Sequence, residues 1–522
     1  MSRRPALALA LLLASGLGAC AHGNAVNDSA LTILHTNDLH GHIEPWTGWG
    51  ELDGKRIGGL DRIATAVADV RREVGAEKVL LLDGGDTIGD TMIAVETEGR
   101  AVVEAMNAIG YDAMVIGNHE PDFGPEALAR RIGEARFPVL AANLYRKGGG
   151  HFATPYVLRT INGVRIGVIG LAYPNTALTT ASKNVAGLEF RDAIDTAREL
   201  VPQLRREGAQ LVVVLSHFGL SAEQHLAREV PGIDVIVGGH SHNRMVEAER
   251  VGETLIVQAG AHGSDLGRLD LTIENGRVTG HRRHLILIDN DLLQPDPRVA
   301  DVVHAALAPH RERLDETVGA AGGTVARAQT LAGQEPGPRD EPSPADMLFA
   351  DIVRRETGVD AALLPGVGYG VAIPPGSIAA AGLRNLIPHD SKVVTMTLTG
   401  AQVREILEQS LENTYTKDPR VKVGGLVQVS GLTFAYRRDA KRGERLREVR
   451  IGDEPLDPGR RYRVATNTLL AQGGHRYRTF TEGQDRRELG SQYELVKSAI
   501  GRAGTLVAPA EPRVRRTSSA AR

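Results

Sequence analysis

From Ala30 onward the chain alternates short runs of β-branched residues and leucine with stretches whose apolar positions recur at helical spacing. Six of the short runs read as strands: 31–38 (LTILHTND), 78–86 (KVLLLDGGD), 113–120 (AMVIGNHE), 165–173 (RIGVIGLAY), 211–219 (LVVVLSHFG) and 234–242 (DVIVGGHSH). They are apolar on both faces and turn polar only at their C-terminal ends. Strands of that kind are covered on both sides, and the intervening segments, such as 60–74, carry the helix period. The pattern predicts a layered α/β domain over 30–290. Ligands in such domains gather beyond the C-terminal strand ends, which is where the His, Asp and Asn residues fall.

Residues 295–318 read as a helix interrupted at Pro309, and the Gly/Pro-rich stretch 332–344 reads as surface loop. Together 291–344 is expected to connect the first domain to a smaller α/β domain over 345–508. The tail 513–522 (RVRRTSSAAR) is expected to be disordered.

Composition fits this division. The 522 residues are long enough for two ordinary domains, and 60 glycines against eight Phe and two Trp suggest tight turns around an aliphatic core. A net charge of −3 without polybasic runs excludes a general nucleic-acid binder. The first 20 residues stand apart. Arg3 and Arg4 precede the apolar run Ala6–Leu17, which ends Leu17-Gly18-Ala19-Cys20, and Cys20 is the only cysteine. The run is too short to span a bilayer and reads as a targeting segment. Its ending resembles the bacterial lipobox, which implies lipidation at Cys20 and tethering in the cell envelope, facing the periplasm or the exterior. An ordinary signal peptide holding an incidental cysteine is the alternative. A single cysteine excludes an internal disulfide.

Five polar clusters lie at the predicted strand ends: Asp38-Leu39-His40, Gly85-Asp86, Gly117-Asn118-His119-Glu120, Ser216-His217 and Gly239-His240-Ser241-His242. Each alone is a weak sign, since a lone His after a strand is usually a structural residue. Five together are hard to explain as turn chemistry, because uncompensated buried charge is costly. Mixed oxygen and imidazole donors suit Zn, Mn or similar ions. Alternating pairs such as Asp38/His40 and His240/His242 project to one side of an extended strand end and can converge on one ion. His35 reads as a core histidine, and His262, His281 and His284 as surface positions.

In order and spacing, these clusters resemble the calcineurin-like metallophosphoesterases. TNDLHGH, GGDT, GNHEPDFG, SHFG and GGHSH are similar to the 5′-nucleotidase branch, which includes UDP-sugar hydrolases and 2′,3′-cyclic phosphodiesterases. The resemblance implies two divalent ions, one held by Asp38, His40, Asp86 and His242. The other would be held by Asp86, Asn118, His217 and His240, with Asp86 as the bridge. His119 and Asp122 match the family's catalytic pair. The implied reaction is attack of a metal-activated hydroxide on phosphorus, the ions clamping attacking and leaving oxygens. In the alternative, His119 and Asp122 only support the metal ligands.

Residues 345–482 resemble the family's substrate-binding domain through 393–413 (VVTMTLTGAQVREILEQSLEN), 426–436 (LVQVSGLTFAY) and 462–474 (YRVATNTLLAQGG). That domain stacks a base between two aromatic rings and holds phosphate with arginines. Here Pro365 stands where the family has Asn, and Gly370 where it has a phosphate-binding Arg. The stacking positions fall at His389 and Tyr477, and the sugar-contacting acid at Gly483 or, one register away, Glu482. Arg384, Arg476 and Arg478 are possible replacement cations that read first as surface residues. The expected substrate is a small phosphoester, a nucleotide by family, and no protein partner is inferable. Two alternatives remain. The segment LPGVGYG (364–370) bears some similarity to one in the sulfur-oxidation thiosulfohydrolases, and a lipoprotein binding ligand without turnover is the other.

Overall fold

The computed structural model describes residues 31–327, 339–389 and 391–517. Cys20 and the targeting segment, with most of the loop 332–344, lie outside the described residues. Among the described residues, no helix is long and apolar enough to cross a membrane.

The N-terminal domain is built on two six-stranded sheets. The first runs in the order Arg277–Leu287, Asp265–Glu274, Leu31–Thr36, Val79–Asp83, Ala113–Val115, Val139–Leu140. The second runs Glu249–Val251, Thr254–Val257, Val235–Val237, Leu211–Ser216, Val164–Leu171, Tyr156–Ile161. Their inner faces pack together through Ile33, Leu80, Leu82 and Val115 on one side and Ile166, Val168, Val213 and Val235 on the other. Helices cover both outer faces, Leu60–Val74 and Arg100–Ile109 on the first, Ala193–Arg206 and Leu220–Glu229 on the second. The order is helix, sheet, sheet, helix. The six strands read from the sequence are therefore buried on both faces, unlike edge strands such as Arg277–Leu287, and so carry no polar alternation.

The helix Leu60–Val74 buries Leu60, Ile63, Ala64, Val67 and Val70, one stripe of the 3.6-residue period. Parallel pairing of Thr32 with Val79, Leu82 with Ala113 and Val213 with Val235 brings the polar strand ends to the same edge.

The connector follows its predicted interruption. Helix Pro297–Leu307 gives way to a tighter turn at Ala308–His310 and a short helix Arg311–Leu314. Strand Thr317–Ala321 already pairs with Gly376–Ala379 and Thr505–Leu506, so the C-terminal unit begins before the loop. Its main sheet runs Gln428–Ser430, Ala361–Leu364, Arg461–Asn467, Lys392–Thr399, Gln484–Ser491. Lys392–Thr399 passes directly into helix Gly400–Tyr415, because Thr399 and Gln402 form a reciprocal capping box.

The tail corrects its expectation over 513–517. Val514–Arg516 adds a strand parallel to Leu432–Tyr436, and the Arg513 guanidinium donates to the Val429 carbonyl at 2.9 Å and to Asp351 at 2.6 Å. Backbone pairing and one anchored arginine hold a segment whose composition is that of a loose end.

Candidate active site

The polar strand ends form one nest of loops. Asp38, His40, Asp86, His240 and His242 all adopt positive φ, between 47° and 71°. Side chains with a Cβ rarely accept that conformation, so its recurrence marks backbone over-determined by its surroundings. The constraints are visible. Asp38 N–H donates to the Gly85 carbonyl and His40 N–H to the Asp86 carbonyl, both at 2.8 Å. The Glu120 carboxylate accepts N–H bonds from Asp86 (3.0 Å), Thr87 (2.6 Å) and Gly117 (2.6 Å), tying a second loop to a third. Asp38 accepts from Asn37 Nδ2 at 2.7 Å and from His240 N–H at 2.9 Å, tying the first loop to the last.

Donor atoms converge inside this nest in three groups, each within 4.8 Å: Asp38, His40 and His242; Asp86, His217 and His240; His40, Asp90 and His119. The first two groups adjoin, since His217 Nε2 lies 4.0 Å from Asp38 as well as 2.9 Å from Asp86.

The protons decide whether a cation fits. His217 Nδ1 lies 2.7 Å from the Gly84 carbonyl, which can only accept, so in the neutral ring the hydrogen is on Nδ1. Its Nε2 lone pair then faces the Asp86 carboxylate. His40 Nδ1 is engaged by Asp90 at 2.5 Å, leaving its Nε2 3.1 Å from His242 Nε2. Asn118 Oδ1 and His240 Nδ1 are buried without a hydrogen-bond partner among the described residues. Lone pairs aimed at one another in a buried site are compensated by metal ions, and these donors fit them. Without ions the charges rearrange. Burial alone would raise Asp86, but His217 and His119 hold it well below the usual carboxylate range. Burial would lower His217, yet Asp86 and Asp38 push it up to about 10.

His119 stands beside this centre. Its Nδ1 bonds Asp122 at 2.7 Å, and Asp122 also accepts the Thr180 hydroxyl at 2.8 Å, fixing the ring with Nε2 toward the interdomain cleft. Burial opposes a charge on His119, but Asp90, Asp122 and Asp86 outweigh it and hold the ring well above its ordinary value.

Several participants were not legible as such. Asp90, four residues past Asp86, is buried between His40 and His119. His262 is buried, not surface: its N–H donates to the Asp38 carbonyl at 2.8 Å and its ring packs 4.5 Å from His42. A Gly-Ala-His-Gly loop gives no apolar pattern to announce that burial. His281 and His284 are exposed as expected, and His35 is fully buried.

The C-terminal domain reaches the centre through Tyr369. Its hydroxyl donates to Asp90 at 3.2 Å and lies 2.9 Å from His389 Nε2 and 3.4 Å from His119 Nε2. His389 lines the cleft, its ring 5.2 Å from that of His119 and 27° from parallel; burial pushes it down to about 4, so it is neutral near pH 7. Tyr477 does not join it. It is wholly buried in the core with Phe480, Leu470 and Leu411, so its ring is not available to stack on a ligand, and His475 occupies the cleft instead. The place of the absent arginine is also filled: a Cβ at Gly370 would stand 2.7 Å from Arg327 Nη1. Arg327 is paired with Asp346 and donates to the carbonyls of Tyr369 and Leu386. Arg384 is buried against Tyr493, Arg478 is exposed and Arg476 is half-buried, and none of them lines the cleft cavity. Glu482 is exposed and accepts from Gln402.

The calcineurin-like phosphoesterase family matches residues 31–244, and the 5′-nucleotidase C-terminal domain matches 323–482. The chain belongs to the 5′-nucleotidase family of calcineurin-like phosphoesterases. That family hydrolyses phosphoester bonds and uses divalent metals, and candidate Asp/His groups are in place here. The chain is similar to the trifunctional nucleotide phosphoesterase protein YfkN of Bacillus subtilis, 28% identical over 92% of this chain but spanning only 34% of that relative. Two solved structures from Thermus thermophilus are equally near in fold, each with a TM-score of 0.84 and 27% identity. One, a 5′-nucleotidase precursor, covers 94% of this chain and 99% of that one. The other, the sulfate thiohydrolase SoxB, covers 95% and 98%.

Proposed function

We propose that this family member is an exported, lipid-anchored dinuclear-metal phosphohydrolase, acting as a 5′-nucleotidase or related nucleotide phosphoesterase. Domain 30–290 carries the chemistry and domain 345–508 presents the substrate. Asp38, His40, Asp86 and His242 hold one ion; Asp86, Asn118, His217 and His240 hold the other. The observation that carries the reading is the convergence of His217 Nε2, 2.9 Å from the Asp86 carboxylate, with Asn118 Oδ1 and His240 Nδ1, both buried without a hydrogen-bond partner. When bound, the ions supply the positive charge that activates water near neutral pH and offsets charge on phosphorus. His119, oriented by Asp122, holds a proton at Nε2 for the leaving oxygen. Export and anchoring rest on residues 1–20 and Cys20.

A second reading keeps the metal chemistry and moves it to a sulfur ester. Tyr369 filling the cleft and Tyr477 buried away from it favour that reading, as does the equal likeness to SoxB. The deciding experiment loads the purified protein with Mn or Zn and assays nucleoside monophosphates, UDP-sugars, cyclic nucleotides, p-nitrophenyl phosphate and thiosulfonates. Release from nucleotides supports the first reading. Turnover confined to thiosulfonates supports the second, and no metal-dependent turnover of any ester overturns both.

A further inference from the structure

The third group of converging donors, His40, Asp90 and His119, does something other than hold an ion. His40 Nδ1 lies 2.5 Å from Asp90 and His119 Nδ1 lies 2.7 Å from Asp122. A carboxylate can only accept, so in the neutral rings both nitrogens carry hydrogens and offer no lone pair to a cation. Asp90 Oδ2 accepts from His40 Nδ1 and, at 3.2 Å, from the Tyr369 hydroxyl, while Oδ1 lies 3.7 Å from His119 Nδ1. One carboxylate therefore joins a proposed metal ligand to a side chain of the C-terminal domain.

The loop that carries Asp90 is clamped beside His40. Gly41 N–H donates to the Thr87 carbonyl and the Thr91 hydroxyl donates to the Gly41 carbonyl, both at 2.9 Å. A Cβ at Gly41 would come 2.4 Å from Thr91 Oγ1, and one at Gly89 would come 3.3 Å from His119 Cβ, so the loop is wedged between the two histidines. Thr91 also caps helix Met92–Thr97 by accepting the Ala94 N–H. Within this loop Asp90 is buried at φ +75°, a conformation that a residue with a Cβ keeps only where its surroundings impose it. A carboxylate behind a metal-ligating imidazole fixes the tautomer and the ring's direction and makes the facing nitrogen a better donor. We propose that Asp90 is the positioning residue of the ion held by Asp38, His40, Asp86 and His242, and the joint through which the C-terminal domain acts on that ion. It aims His40 Nε2 at the ion, and the Tyr369 hydroxyl on the same oxygen ties that ligand to segment 364–370. The proposal deepens the dinuclear reading and rests on it for the ion.

The test titrates Mn into the metal-free full chain by calorimetry, for wild type, Asp90→Gly, Asp90→Asn, Tyr369→Phe and the Asp90→Gly/Tyr369→Phe double variant. Glycine is the residue best suited to φ +75°, so Asp90→Gly removes the carboxylate without straining the backbone. One of the two Mn sites is expected to weaken about 10–100-fold in Asp90→Gly, with the other near wild type. Asp90→Asn, whose amide oxygen still accepts the His40 N–H but without charge, falls between. Tyr369→Phe weakens the same site about threefold, the share of one hydrogen bond, and adds nothing in the Asp90→Gly background. Two unchanged Mn affinities in Asp90→Gly overturn the positioning role, as does an equal loss at both sites, which general loosening of the loops would give. A Tyr369→Phe effect of equal size in both backgrounds overturns the joint. If Asp90→Gly fails to fold, Asp90→Asn carries the test, and affinities equal to wild type overturn the proposal. Failure of the functional reading is distinct: wild type would show the Asp90-dependent Mn site yet hydrolyse no phosphoester. Wild type that takes up no Mn overturns both.

Discussion

The Tyr369 ring stacks on the His40 imidazole, centroids 4.6 Å apart and planes 16° from parallel. A C-terminal side chain therefore covers a proposed metal ligand from the opposite domain. A substrate entering the cleft must share that space with the ring or displace it. Tyr369→Ala is expected to favour larger substrates, raising kcat/KM for nucleoside monophosphates relative to p-nitrophenyl phosphate by about threefold or more, a difference of under 1 kcal/mol. Kinetics on the two esters at constant metal loading check this. An unchanged ratio would mean that the ring does not limit substrate size.

Asp86 is proposed to bridge the two ions. It is within 2.9 Å of His217 and accepts the His119 N–H at 2.7 Å. Removing a shared ligand affects both sites at once, so Asp86→Ala should lose bound metal and activity together. Elemental analysis and turnover measured on the same preparation decide it. Activity that survives the substitution would refute the dinuclear arrangement.

The extent to which this was legible in the sequence follows from the physics of each part. The six buried strands were readable because two-sided burial leaves an unbroken apolar run, and their ends because polar clusters following such runs are costly without a purpose. Asp90 and His262 were not readable: their neighbours are glycines and small residues, and only the folding of distant loops buries them against His40. Tyr477 was misplaced for a similar reason. An aromatic in a loop has no periodicity to say whether it faces the cleft or the core, and here it packs with Phe480 while His475 faces the cleft.

The His119–Asp122 pair separates proton chemistry from metal binding. His119→Asn should lower kcat by roughly 10²–10⁴-fold, the range for losing a positioned acid or base, with metal content unchanged. Asp122→Asn leaves the ring but weakens its orientation, and a loss of about 10–100-fold is expected. Metal loss in either variant would instead make the pair structural support for the ligands.

Tyr477 tests the corrected placement. Its ring is fully buried, and its hydroxyl donates to the Gly425 carbonyl at 3.4 Å. Tyr477→Ala should cost about 3–5 kcal/mol of stability, as for other large aromatics removed from a core. KM of the folded fraction should change little. Denaturant unfolding and KM on a nucleotide together distinguish this from a stacking role, which would raise KM at little cost in stability.

Asp83 gives the fold a pH dependence of definite sign. Its buried carboxyl meets the Thr36 hydroxyl at 2.6 Å, the Thr87 hydroxyl at 2.5 Å and the Gly85 N–H at 2.9 Å, with no cation beside it. Burial outweighs these bonds and pushes the group up to about 7 from an ordinary value of 3.8. The folded state therefore keeps a proton that the unfolded chain loses between about pH 4 and 7, and over that window this group lowers stability as pH rises. Below the window both states hold the proton and the group contributes no slope; above it the penalty is complete. Asp83→Asn mimics the protonated form, so the variant should gain stability relative to wild type as pH goes from 4 to 7. Paired denaturant titrations at both ends of the window, at saturating metal, measure this, and a difference independent of pH would show that Asp83 is ionised in the folded protein throughout.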